Sequence, residues 1–359
     1  MNRNTGMSAG QIIGTMNGQQ VVGLDIAKHV FQLHTVNMGT GEIVNVQIKR
    51  AKVLEHFANR QSCLIAIEAC GGARHWAREL TAQGHRVRLL HAKAVRPFVT
   101  GNKTDATDAR AIWLAVQQPG VKFVGIKTAA QQATLTLHRQ RELMMKMRNM
   151  QTNNALHGLL YEFGATFAKG RKALFKDVEQ ALEELSAQLP QMVRDSLREQ
   201  VARIKVMSED ILAIEKRLGL QLKVDPQMQR IAQIPGVGLL TATAAIATMG
   251  EASAFKSGRE FCAWLGLVPT QTDSGGKVRL GGIYKRGDTY LRTLLIHGAR
   301  SVLTHAKEPG PWLEQIKQRR PANVVVVAQA AKMARTIWAV TAKNQDYQRG
   351  FQSVRPQAA

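Results

Sequence analysis

The sequence predicts an α/β domain followed by a largely helical remainder. Over roughly the first third of the chain, short β-type apolar runs alternate with helical segments. The middle is poor in proline and rich in Leu, Met, Ala, Gln, Glu and Arg, which favours long helices. We therefore expect five regions along the chain: a flexible extension at 1–19, an α/β domain at 20–122, a helical or coiled-coil region at 123–224, a mostly helical domain at 225–345 and a tail at 346–359.

Charge indicates the kind of partner. Lys and Arg total 49 against 26 Asp and Glu, which gives a net charge of +23. Such an excess most often serves a polyanion, usually nucleic acid. No leader-type segment or apolar run long enough to span a bilayer is visible, so we expect a cytoplasmic protein without a membrane partner. The three cysteines form no CxxC pattern, which argues against a zinc ribbon or a disulfide framework.

The amino-terminal elements follow a recognisable order of three strands, helix, strand, helix, strand and helix. Alternating apolar residues, turn signals and helical periodicity give the expected bounds. These are Val21–Ile26, Val30–Val36, Ile43–Ile48, Ala51–Asn59, Cys63–Ile67, Ala73–Gln83, Arg86–Leu90 and Asp105–Val116. The order matches a ribonuclease H-like core.

Four carboxylates occupy telling positions in this order. Asp25 ends the first strand, Glu68 follows the fourth, and Asp105 and Asp108 lie three residues apart on one face of a helix. Each alone would be an ordinary turn, cap or surface residue. Brought together they repel one another unless a cation neutralises them. Oxygen-only ligands suit Mg²⁺ or Mn²⁺, and two such ions can bind one scissile phosphate.

The middle region predicts two long helices, at about 128–164 and 173–222. Apolar residues near heptad spacing, such as Leu143, Met147 and Met150, are compatible with an antiparallel hairpin or coiled coil that would hold protomers together. An ordinary helical bundle explains the same pattern, and both interpretations stay open.

The carboxy-terminal third begins with a turn at residues 234–238, Ile-Pro-Gly-Val-Gly, before an apolar helix. It is similar to a helix-hairpin-helix turn, in which Gly236 and Gly238 would let backbone N–H groups approach a phosphate. A plain helix-packing turn would look the same. A closing helix is expected at Pro321–Thr341.

A polar, glycine-rich stretch at 269–282 contains Ser274 among cations. We expect a flexible loop whose serine attacks a phosphate while Lys277 and Arg279 stabilise the developing charge. Alternatively, Ser274 only donates a hydrogen bond in a phosphate-gripping loop. Lys285 and Arg286 follow as candidate nucleic-acid contacts.

Three segments, at 23–28, 67–71 and 102–110, resemble those of the DEDD transposases of insertion sequence family one-ten, a pattern that pilin-gene invertases share. Residues 234–238, 261–269 and 273–282 resemble that family's second domain. The resemblance implies a RuvC-like domain with Asp25, Glu68, Asp105 and Asp108 as metal ligands, and Ser274 as nucleophile. Lys103, in the third segment, becomes a candidate nucleic-acid contact. Cys70 departs from the family pattern.

The same resemblance implies an RNA-guided recombinase. A structured RNA encoded by the element would pair with donor and target DNA. Metal and serine would act in composite sites between subunits of a dimer of dimers, through a phosphoserine-linked DNA end and a Holliday junction.

Two other classes compete. A hydrolytic junction resolvase would use the carboxylates and water but leaves the Ser274 stretch without a role. A non-catalytic nucleic-acid-binding protein does not explain why all four acidic positions are filled.

Overall fold

The computed structural model describes residues 15–16, 19–37, 39–102, 104–152, 156, 158–164, 180, 183, 189–274 and 277–351. The chain divides into two compact units, Met1–Thr128 and Ala129–Ala359. Almost all of the helical region expected at 123–224 therefore falls in the second unit.

The first unit contains the expected order of elements with small changes in their bounds. Its strands are β1 (Thr15–Met16), β2 (Gln19–Ile26), β3 (Val30–Val36), β4 (Ile43–Lys49), β5 (Leu64–Glu68), β6 (Arg86–Leu90) and β7 (Phe123–Val124). Its helices are α1 (Val53–Ala58), α2 (Ala73–Ala82), α3 (Ala92–Val95) and α4 (Asp105–Val116). The sequence did not predict β1, α3 and β7, which are two to four residues long and carry little periodic signal.

The strands form one mixed sheet in the order β4-β3-β2-β5-β6-β7, and β1 pairs with β2. Strand β2 lies in the middle, antiparallel to β3 and parallel to β5. This topology is compatible with the ribonuclease H-like core that the element order predicted.

Alternation along β2 and β5 separates two apolar layers. Val22 and Leu24 point to the layer that contains α1 and α2, together with Ile65 and Ile67 of β5. Val21 joins the opposite layer, where α4 covers Leu64 and Ala66 of β5. Residues of β2 that lie an even number of positions from Val21, and residues of β5 that lie an even number of positions from Leu64, therefore face α4.

Gly23 is the point of closest approach between β2 and α4. A Cβ atom on Gly23 would lie 2.3 Å from the carbonyl oxygen of Ala109 and 2.7 Å from the backbone N of Trp113. The indole Nε1 of Trp113 donates to the carbonyl oxygen of Val21 at 3.1 Å, which fixes the helix along the strand. Only glycine permits the backbones to pack at this distance.

The second unit is helical apart from one hairpin of two strands, in the part of it that the structure describes. Its helices are α5 (Ala129–Met150), α6 (Gly158–Glu162), α7 (Gln191–Val224), α8 (Pro226–Ala232), α9 (Leu239–Met249), α10 (Gly258–Trp264), α11 (Thr289–His305), α12 (Pro311–Arg319) and α13 (Ala322–Lys343). The hairpin consists of β8 (Pro269–Ser274) and β9 (Lys277–Ile283).

Helices α5 and α7 pack antiparallel. Thr134 bonds to Gln221 at 2.9 Å, and Arg141 pairs with Glu215 at 2.7 Å. Further along, Arg148 contacts Ser208 at 3.4 Å. Residue numbers of the partners thus fall along α7 as they rise along α5. Most of the segment 165–188, where the second predicted helix begins, lies outside the described residues.

Helix α13 is the expected closing helix and belongs to the core of this unit. Val326, Ala330 and Met333 are buried there with residues of α9, α10 and α11. By length and composition alone α13 could cross a membrane. One face of α13 is packed in the core, and the other carries the exposed cations Lys332 and Arg335, as is typical of a helix in a globular domain.

We predict that Gly23→Ala destabilises the first unit by about 1–3 kcal/mol, because the new methyl group must push α4 away from β2. Urea unfolding of the full chain measures the change. Gly125→Ala is the matched control, since a Cβ atom there meets nothing within 4 Å. Equal stability of both variants would show that α4 does not depend on this contact.

Candidate catalytic site and nucleic-acid interface

Asp25 and Glu68 lie at the ends of neighbouring parallel strands. The register of β2 and β5 pairs Leu24 with Ile67, so the next residue on each strand is a carboxylate. By the alternation along each strand, both belong to the face that α4 covers, and both are half-buried. The sheet thus sets two acidic side chains side by side under α4.

The start of α4 supplies the other two carboxylates. Thr104 caps the helix, its Oγ1 accepting from the backbone N–H of Thr107 at 3.2 Å. Asp105 and Asp108 fall in the first turn, where Asp105 is exposed and Asp108 is half-buried. The positive end of the helix dipole favours negative charge at these positions.

Asp25 interacts electrostatically with the other three carboxylates. Burial and the negative charges of Asp108, Asp105 and Glu68 raise the pKa of Asp25 from 3.8 to about 6. All three neighbours therefore lie close enough to act on one carboxyl group.

A divalent cation fits the chemistry of this set. Four carboxylates offer only oxygen donors, as Mg²⁺ prefers, and a cation would remove the repulsion that raises the pKa of Asp25. Among the described residues, no three His, Cys, Asp or Glu side chains lie close enough together to hold a metal ion as they stand. Like-charge repulsion explains an open arrangement of acidic side chains.

Cys70 lies beside these carboxylates. Burial and the charges of Glu68 and Asp25 raise the pKa of its thiol. The sequence marks Cys70 only as a departure from the family pattern, and the structure puts its thiol within electrostatic reach of two of the four acids.

Ser274 is the last residue of β8, in register with Lys277 of β9. The expected flexible loop is therefore wrong for most of its length, because residues 269–274 and 277–283 form a β-hairpin. Gly275 and Gly276, which connect the strands, lie outside the described residues. A Gly-Gly pair between two short alternating runs is the signal that could have predicted the hairpin.

The base of the hairpin is fixed by a buried arginine. Arg292 of α11 donates to the carbonyl oxygens of Leu265 at 2.9 Å and Arg286 at 3.2 Å. Gly287 has a φ of 96°, and a Cβ atom there would overlap the carbonyl oxygen of Trp264. Although Arg292 lies close in sequence to the cations that follow the serine, it is 7% exposed and bonds within the protein.

Four of the candidate nucleic-acid contacts form an exposed group around the hairpin. Lys277 and Arg279 lie on β9, and Lys285 and Arg286 follow it, all four exposed. The guanidinium of Arg286 lies 4.4 Å from the ring centroid of Tyr284, a cation–π contact that keeps it at the surface. Lys103 lies outside the described residues.

The turn at 234–238 serves packing at one glycine and is open at the other. Gly236 has a φ of 85°, and the backbone N–H of Val237 donates to Ile234 at 2.9 Å. A Cβ atom on Gly236 would lie 2.7 Å from the carbonyl oxygen of Gly298, so α11 occupies the space that the glycine leaves. Gly238, directly before α9, is exposed, and a Cβ atom there would meet nothing within 4 Å, so it is the accessible member of the pair.

Comparison with known families adds independent information. A family model for transposases, the DEDD group of IS110, matches residues 22–164. A second model, described as the transposase IS116/IS110/IS902 family, matches residues 228–314. The two matches cover the carboxylate site and the serine hairpin in chain order. Fold and site together define a transposase of the DEDD type.

Full-length relatives agree. The chain is 43% identical over 336 residues to a probable family 20 transposase of Pseudomonas aeruginosa, covering 92% of this chain and 98% of the relative. It is 36% identical to the transposase for insertion sequence element IS1111A of Coxiella burnetii, covering 94% and 93%. It is 34% identical to the transposase for IS1328 of Yersinia enterocolitica, covering 89% and 96%. The chain belongs to the IS110 family of insertion-sequence transposases, enzymes that cut and rejoin DNA.

We predict that Asp25→Asn stabilises the metal-free protein. The folded-state pKa of Asp25 lies above its ordinary value of 3.8, so the folded state binds more protons between those values and wild-type stability falls as pH rises through about 6. The variant avoids this loss. Because water screens the half-buried group, we expect only about 2–4 °C in Tm, the effect of roughly 1 kcal/mol.

Thermal unfolding in EDTA as a function of pH measures the difference, which should vanish near pH 3.8 and be complete above about pH 6. Mg²⁺ should raise the Tm of the wild type but not of the variant, because only the wild type retains the ligand. Asp210→Asn, at an exposed position on α7, is the control. A destabilised Asp25→Asn protein would contradict the repulsion argument.

Proposed function

We propose that Asp25, Glu68, Asp105 and Asp108 hold Mg²⁺ or Mn²⁺ and that this site acts on the scissile phosphate of DNA during transposition. The observation that carries the proposal is the placement of Asp25 and Glu68 side by side on β2 and β5, with Asp105 and Asp108 in the first turn of α4 close enough to interact with Asp25. When bound, the cation would supply Lewis-acid polarisation of the phosphate. The carboxylates orient it, and the sheet and α4 fix the carboxylates.

We further propose that Ser274 is the nucleophile. Its Oγ attacks the scissile phosphorus, its proton passes to solvent, and the bond from phosphorus to the departing strand breaks. The leaving oxygen takes up a proton from solvent, so the products are a phosphoserine-linked DNA end and a free hydroxyl on the other end of the cut strand. A partner strand's hydroxyl then attacks the phosphoserine and releases Ser274. One phosphodiester replaces another, so the exchange needs no nucleotide hydrolysis.

The surroundings of Ser274 support this role. Lys277 is its register partner across the hairpin, and Arg279 lies two residues further along β9. Both are exposed cations, suited to stabilise negative charge on a pentacoordinate phosphorus. Their presence would also lower the cost of forming the serine alkoxide.

Guidance by a structured RNA is the third part of the proposal. It is supported by the net charge of +23, a large excess of cations available for nucleic-acid backbones. It is supported as well by membership of the IS110 family together with the resemblance described above. We propose that the carboxylates and Ser274 act in composite sites, from different subunits of a homo-oligomer.

We predict that Ser274→Ala abolishes a covalent protein–DNA adduct. Purified protein, Mg²⁺, DNA from the element end and the element's end RNA are combined, and adducts are resolved on denaturing gels before and after protease. Wild type should give a protease-sensitive adduct that depends on the RNA. Thr272→Ala is the matched control, since it removes another hydroxyl of the same strand and should retain the adduct.

Each other result of this assay has a defined meaning. Cleavage without an adduct, equal in wild type and Ser274→Ala, would indicate water as the nucleophile and a resolvase-like reaction. An adduct that forms without RNA would remove the guide from the proposal while leaving the serine chemistry in place.

We predict that Asp105→Ala and Ser274→Ala proteins are each inactive alone but recover part of the activity when mixed. Composite sites require one intact carboxylate set and one intact serine, and mixed oligomers contain such combinations. Strand exchange in the mixture is compared with each variant alone. No recovery, despite subunit exchange shown with labelled protomers, would place both groups in one subunit.

A further inference from the structure

A cleft of about 660 Å³ opens at the base of the β8–β9 hairpin. Its walls come from α10, α13 and the strand ends near Pro269 and Ile283. Every residue that lines it belongs to the second unit. Its volume lies in the range of small-molecule sites, about 300–1,000 Å³.

The interior of the cleft is apolar. Val268, Ile283, Val327 and Ala331 line it, and an aromatic ring, that of Trp312, stands at its edge. Trp312 is 37% exposed, and the ammonium of Lys332 lies 4.5 Å from its ring centroid. A flat, weakly polar body would lose little hydration on entering such a space and would gain contact with an aromatic face.

The polar groups of the cleft are cationic or amide-bearing. Arg259 and Arg335 line it together with Asn323, and no acidic side chain is among the residues that form it. Gly258 packs on the backbone of Arg335, where an added Cβ would lie 3.0 Å from the carbonyl oxygen, so the backbone next to Arg259 touches that of Arg335. The Nε of Arg335 donates to the carbonyl oxygen of Ala331 at 3.2 Å. Two arginines that line one apolar cleft suit a phosphate ligand.

The cleft and the serine share one strand. Pro269 lines the cleft and Ser274 ends β8 five residues later, a separation of about 17 Å at roughly 3.4 Å per residue. A nucleic-acid strand that runs along the exposed hairpin can therefore reach the cleft within a few nucleotides of the tip.

We infer that this cleft binds the base of one unstacked nucleotide of the DNA strand on which the protein acts, with the adjoining phosphate on Arg259 and Arg335. The inference extends the proposed function to a site apart from the carboxylates and Ser274. An aromatic wall, an amide able to bond base edges and a cationic rim are the features by which proteins hold unstacked bases. The base would anchor the strand beside the hairpin.

Binding of a short oligothymidylate to the full chain tests the inference. Fluorescence anisotropy in EDTA compares it with an abasic strand of equal length, which has the phosphates but no bases. Wild type should prefer the oligothymidylate by roughly tenfold, the loss expected for one stacked base. Ala328→Trp, which fills the cleft, should bind both strands alike. Ala342→Trp, on an exposed part of the same helix, should behave as wild type.

A wild-type measurement guards against a misfolded variant. A 5-iodouracil oligonucleotide, irradiated on the unmodified protein, should crosslink to the peptide that contains Trp312. Crosslinks found only elsewhere, or equal base preference in all three proteins, would overturn the inference. Oligouridylate is measured alongside, and a base preference seen only with this RNA strand would also overturn the inference. The same holds if Ala328→Trp changes only the oligomeric state of the protein.

Failure of the serine chemistry leaves this test intact, because it needs neither metal nor Ser274. If the wild type forms no adduct but keeps its base preference, the proposed nucleophile alone is wrong. If it forms the adduct but shows no base preference, the cleft assignment alone is wrong.

Discussion

The close approach of α4 to β2 at Gly23 is the constraint on which the carboxylate site depends. A methyl group at this position would meet backbone atoms of α4 at 2.3–2.7 Å. Because the start of α4 carries Asp105 and Asp108, the same contact that completes the apolar layer also brings these acids over Asp25. Packing of neutral backbone therefore sustains an arrangement that charge alone would push apart.

The unfavourable free energy of bringing the four carboxylates together does not fall equally on all of them. Asp105 and Asp108 lie in the first turn of a helix, where the dipole offsets part of their charge. Asp25 ends a strand in the middle of the sheet, and burial is the largest cause of its raised pKa. A site that strains one carboxylate in the absence of a cation gains stability when the cation binds, so the ligand set that serves chemistry also couples folding to metal.

Part of this site could be predicted because its geometry is local. Alternation with a period of two sets Asp25 and Glu68 on one face, and a three-residue spacing does the same for Asp105 and Asp108. The contributions of distant residues could not be predicted. Gly236 packs on Gly298, and Arg292 bonds to the carbonyl oxygens of Leu265 and Arg286. The sequence alone does not distinguish a glycine or an arginine that contacts phosphate from one that packs within the protein.

The Ser274 hairpin shows why glycine-rich polar sequence misleads. Almost every side chain of β9 is exposed, so the strand lacks the run of buried apolar residues that marks β2 and β5. The hairpin is ordered from its base instead. Tyr284 bonds to Val268 at 2.8 Å and Lys285 adopts a φ of 52°, in the left-handed region, which turns the chain toward α11.

A fixed base limits where the rest of the hairpin, including Ser274, can move. Arg292 bonds to the chain on both sides of the hairpin, at Leu265 before β8 and at Arg286 after β9. Paired strands transmit that anchoring along their length through the ladder from Pro269 to Ser274. The strand exchange proposed for Ser274 needs a nucleophile that stays in place while DNA ends are exchanged around it. A braced hairpin meets that need better than a free loop, because the entropy of ordering the nucleophile has already been lost on folding.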